Sequence, residues 1–95
     1  MRTVILQAGE IAELDKQDPS TEFDGGYQKL MVGMQRKIDR KTGELVLTDN
    51  DLEKIQRFAF DYGNVGWETT LMGAFGRTLG QKLARKPAHF FYGNG

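Results

Sequence analysis

The sequence predicts a mainly α fold: a small three-helix bundle with a short extended N-terminal segment and at most one minor hairpin. Three observations lead there. Apolar residues recur at helical spacing in three separate stretches. Glycine, proline or polar turn residues interrupt the chain between those stretches. The length, 95 residues, suits one domain, and 39% hydrophobic with 27% charged residues at zero net charge suits a folded globule.

The first predicted helix covers about 25–39. Tyr27, Leu30, Met31, Met34 and Ile38 share one face, while Gln28, Lys29, Gln35, Arg36 and Lys37 fall on the other. Asp24 suits the N-cap, where its carboxylate accepts free backbone N–H groups. Asp39-Arg40-Lys41-Thr42-Gly43-Glu44 then reads as a turn with Gly43 at positive φ, and Leu45-Val46-Leu47 as a short extended piece. The second helix, about 49–62, has Thr48 as N-cap and acids in its first turn. Leu52, Ile55, Ala59 and Tyr62 form its stripe, Phe58 and Phe60 widen it, and Gly63 closes it. After Asn64-Val65-Gly66 as a connection, the third helix covers about 67–83, with Trp67, Leu71, Met72, Phe75, Leu79 and Leu83 on one face. It weakens after Gly80 and ends before Pro87.

The two ends stay open at this level. Thr3–Leu6 reads as a strand, while Ile5, Ala8, Ile11, Ala12 and Leu14 equally allow a short helix. The tail 84–95 carries Phe90-Phe91-Tyr92 and then glycines, and either docks on the bundle or serves as a contact arm.

Catalysis is not expected. The chain has no cysteine, its one histidine is His89 in the tail, and its one serine is Ser20 beside Pro19. A nucleophile–base pair therefore has no evident parts. Asp49, Asp51 and Glu53 lack the alternation and central glycine of a calcium loop. Gly63-Asn64-Val65-Gly66 has no lysine–hydroxyl pair behind it. No cofactor and no metal are expected. The absence of cysteine, of a signal pattern and of a long apolar run suits a cytoplasmic protein without a membrane span.

Charge is segregated along the chain. Residues 1–25 carry six acids against Arg2 and Lys16, whereas Lys29, Arg36, Lys37, Arg40 and Lys41 face only Asp39 in 26–41. That basic end of the first helix suits phosphate or an acidic surface. The second and third helices do not make a convincing DNA reader. The positions that a recognition helix would expose carry Val65, Gly66, Trp67, Thr70, Leu71 and Ala74 here, core-type or small residues instead of polar groups for base edges.

The third helix places Thr69, Gly73, Gly76 and Gly80 on one stripe. Each interior glycine costs about 1 kcal/mol against alanine, so a close backbone neighbour is expected. Gly33 of the first helix is the internal match, and a second protein is the external one. The expected function is a non-catalytic protein-interaction module, an adaptor or inhibitor. Gly73, Gly76, Gly80, Phe90, Phe91 and Tyr92 are its contacts, and self-association is one form it takes. A nucleic-acid-processing complex is one candidate target. The alternative is a small nucleic-acid binder that uses Lys29, Arg36, Lys37, Arg40 and Lys41.

Overall fold

The computed structural model describes residues 1–83, apart from the side chains of residues 81 and 82. The element order is β1 (Arg2–Ile5), α1 (Ala8–Leu14), a 3-10 turn (Pro19–Thr21), α2 (Gly26–Lys37), β2 (Glu44–Leu47), α3 (Asp49–Phe60), α4 (Val65–Leu79) and a 3-10 turn (Gly80–Leu83). The fold is mainly helical with a small two-stranded antiparallel sheet.

Both readings of the N-terminus hold, in succession. Arg2–Ile5 is a strand and Ala8–Leu14 a helix, so the bundle gains a short fourth helix. β1 pairs with β2 from Arg2↔Leu47 to Ile5↔Glu44, and the intervening α1 and α2 mean the pair is not a hairpin. Side chains alternate across the sheet. Val4, Leu45 and Leu47 are buried, while Thr3, Ile5 and Val46 are turned outward. Gly43 does what the turn asks of it, at φ +81. A Cβ there would lie 2.2 Å from the Leu6 carbonyl oxygen, and the Leu6 N–H donates to the Gly43 carbonyl at 2.9 Å.

α2 buries the whole predicted face, Tyr27, Leu30, Met31, Met34 and Ile38. Its start differs from the expectation: Gly25 holds the N-cap position without a side-chain cap, and Asp24 is not used. Gly26, the first helical residue, lets α3 come close, since a Cβ there would lie 3.1 Å from the Phe58 ring. Gln35, assigned by type to the polar face, is buried. Its amide donates to the Leu14 and Gln17 carbonyls at 2.8 Å each, satisfying acceptors at the C-terminal end of α1.

α3 starts as predicted. The Asp51 N–H donates to Thr48 Oγ1 and the Thr48 N–H donates to Asp51 Oδ2, each at 3.0 Å. The helix ends at Phe60, Gly63 follows at φ +64, and Tyr62 stands outside the stripe, largely exposed. α4 begins earlier than expected because Asn64 is itself the N-cap, its side chain accepting the Trp67 N–H at 3.1 Å. Val65 and Gly66 thus belong to its first turn. Leu71, Ala74, Phe75 and Leu79 form its core face, and Met72 points outward instead. Gly80 ends the helix at φ +51.

The core gathers around α4, which packs on α1, α3 and β1, while α2 closes over α1 and α3. Among the described residues no helix is long and apolar enough to cross a membrane.

Candidate interaction face

One end of the molecule is aromatic. Tyr27 of α2 stacks on Trp67 of α4 with centroids 4.6 Å apart and planes 11° apart. Phe58 of α3 meets both edge-on, at 5.9 Å and 5.5 Å. Tyr62 covers the cluster, stacked on Phe58 at 5.3 Å and edge-on to Trp67 at 5.7 Å. Burial pushes the Tyr27 phenol above its ordinary pKa, against the neighbouring Thr70 hydroxyl. Such a cluster packs well without any charge.

From this end an uncharged strip runs down the outer side of α4. Val65, Thr69, Met72, Gly73 and Gly80 are exposed and Gly76 is half-buried. Val65 keeps 74% of its surface and Met72 41%, both large values for apolar side chains. Glu68 and Arg77 are the only charges on the helix. Arg77 is turned to α1 and the end of β1, its guanidinium donating to Glu10 at 3.0 and 2.8 Å and to the Ile5 carbonyl at 2.7 Å. That guanidinium holds the Glu10 carboxyl below its ordinary pKa, with partial burial working the other way and the Gln7 N–H adding to the lowering.

The three glycines of the stripe do different things. At Gly73 a Cβ would lie 3.1 Å from the Glu13 side chain, so this glycine serves the crossing of α1 over α4. Gly80, with its positive φ, serves helix termination. Gly76 serves neither: an added Cβ would meet only Met72 Cε, at an ordinary 3.7 Å. The expected internal match, Gly33, is not one. It has nothing within 4 Å and lines a depression between α2 and α3 with Lys29, Lys37, Asp51 and Lys54.

The basic residues come together only partly. Arg36 pairs with Glu22 at 2.6 Å, Lys37 with Asp51, and Arg40 with both oxygens of Asp15 at 2.9 and 3.0 Å. Arg40 holds the Asp15 carboxyl below its ordinary value. Burial acts to raise the Asp51 carboxyl, yet the Lys37 ammonium and the Thr48 N–H outweigh it and leave the group low. Lys29 and Lys41 form no ion pair among the described residues. Phe90, Phe91 and Tyr92 lie outside the described residues, as does His89. Among the described residues no three histidine, aspartate or glutamate side chains gather into a metal-binding group.

Sequence reasoning passed over Phe23, which is 85% exposed, and set Met72 on the core face although it is 41% exposed. The signal for Met72 was present once Asn64 is read as an N-cap, because that sets the helix phase. Phe23, in the loop before α2, carries no periodic signal at all.

No protein-family model, no curated protein and no solved structure matches the chain.

Proposed function

We propose that the chain is a non-catalytic protein-interaction module, an adaptor or inhibitor, that receives a helix of another protein along the outer face of α4. The observation that carries this reading is Gly76. It sits within α4, one turn before its C-terminal end, at a cost of up to about 1 kcal/mol against alanine, with no internal neighbour that needs it bare. A second backbone approaching from outside supplies the need. The strip around it is uncharged, and the aromatic end offers Tyr62 and Trp67, residue types that anchor interfaces. The basic end of α2 supports a steering role over a binding one, because Arg36, Lys37 and Arg40 already face carboxylates.

The test is a comparison of three baits: the wild-type chain, Gly76→Leu, and a chain with Arg36, Lys37, Arg40 and Lys41 neutralised. A protein partner retained by the wild type and the neutralised chain but lost with Gly76→Leu supports the reading. Loss on neutralisation alone, with binding that weakens steeply in salt, overturns it in favour of nucleic acid. Light scattering of the same baits shows whether the partner is a second copy, in which case Gly76→Leu returns the mass to that of a monomer.

A further inference from the structure

The depression between α2 and α3 gathers cations that the surface ion pairs leave over. Lys29, Gly33 and Lys37 follow one another at four-residue intervals along α2, so they stand on one line. Lys54 of α3 closes the other side, Leu30 and Met34 form the floor, and the volume is about 230 Å³. Asp51 is the one carboxylate in the lining among the described residues, and it is already engaged. Its Oδ2 accepts both the Lys37 ammonium and the Thr48 N–H. Lys37 spends one of three N–H donors there, and the side chains of Lys29 and Lys54 form no hydrogen bond or ion pair among the described residues. Three ammoniums against one carboxylate leave the hollow at +2. Gly33 gives it depth. That residue lies inside α2, where glycine costs stability against alanine, yet an added Cβ would meet nothing within 4 Å.

We propose that this hollow binds the phosphate chain of a small oligophosphate ligand, with Lys29, Lys37 and Lys54 on its oxygens. Ammonium groups are point charges that suit tetrahedral phosphate, whereas planar arginine forks match carboxylates, and no arginine lines the hollow among the described residues. Lys29 and Lys37 stand two turns apart, about 12 Å along the axis, which favours several charged oxygens over a single phosphate. The volume lies below the roughly 300–1,000 Å³ of pockets for drug-sized ligands, so the ligand is small. No described residue of α4 lines this site, which makes it independent of the helix-binding face.

The test is a titration of the full-length, isotope-enriched chain with tripolyphosphate at about 0.15 M salt. The amide signals of Lys29, Gly33 and Lys54 move and saturate. Lys29→Gln and Lys54→Gln each weaken binding at least about fivefold, while Lys41→Gln, outside the hollow, leaves it nearly unchanged. Gly33→Leu keeps every charge but fills the hollow, and it abolishes binding in a chain whose spectrum remains that of a folded protein. Adenosine triphosphate then separates the sources. Affinity equal to or below that of tripolyphosphate identifies a free phosphate chain, and tighter binding identifies a nucleotide with its nucleoside on the Leu30–Met34 floor. Shifts that do not saturate, binding that survives Gly33→Leu, or equal weakening by Lys41→Gln overturn the proposal. So does a hexaglutamate peptide or an oligonucleotide that moves the same amides at lower concentration than either oligophosphate, since the hollow then serves an acidic protein or a nucleic acid.

Discussion

Gly76, in the last turn of α4, and Gly80, its C-cap, sit four residues apart and respond in opposite ways to the same methyl group. At Gly76 the backbone is helical and the space is open. Gly76→Ala therefore raises the unfolding free energy by about 0.5–1 kcal/mol, read from urea denaturation of the isolated chain, while weakening binding to a helix that needs close approach. At Gly80 the φ of +51 belongs to the left-handed region, and Gly80→Ala lowers stability by about 1 kcal/mol in the same assay. A stripe of glycines in a sequence does not reveal this division, because spacing alone cannot say which one faces a neighbour, ends a helix or faces water. Glu10 adds a pH dependence. Its folded pKa is depressed by Arg77, so its contribution is present above the ordinary carboxylate range, about pH 4, and is lost as pH falls through the depressed value. Stability measured across this range falls less steeply on acidification in Glu10→Gln than in the wild type, a difference that fails to appear if the ion pair contributes nothing.

At the level of elements, local chemistry was readable and long-range partnership was not. The apolar face of α2 and the Thr48 cap of α3 depend on residues within a few positions of each other, so the sequence carries them openly. The pairing of β1 with β2 depends on two short segments meeting across α1 and α2, and four residues are too few to announce it. Gln35 shows the same limit at one side chain. Its type says surface, but its amide closes the end of α1 by donating to the Leu14 and Gln17 carbonyls. Gln35→Leu leaves both acceptors without that donor and lowers stability by about 2 kcal/mol. Hydrogen exchange locates the damage, with the amides of α1 opening ahead of those of α2.

Across the whole molecule the segregated charge of the chain resolves into complementary surfaces. The acidic first segment supplies Asp15 and Glu22, α3 supplies Asp51, and the basic end of α2 meets all three. Exposed pairs of this kind are worth about 0–1 kcal/mol each and are screened by salt. Raising ionic strength therefore shifts the unfolding midpoint only slightly, whereas acidification, which protonates Asp15 and Asp51 from their depressed pKa values, shifts it more. The glycine stripe of the candidate face was legible in the sequence, but its extent was not: a helix with so few charges reads as core, and only the packing shows that Val65 and Met72 are left on the outside with it. The sheet has a consequence in time. β1 leaves the ribosome well before β2, and Val4 and Leu6 are buried only in the finished fold. Until Leu47 has emerged, the nascent chain carries a strand with no partner, so the N-terminal half cannot complete its fold during synthesis and must wait for the middle of the chain to arrive.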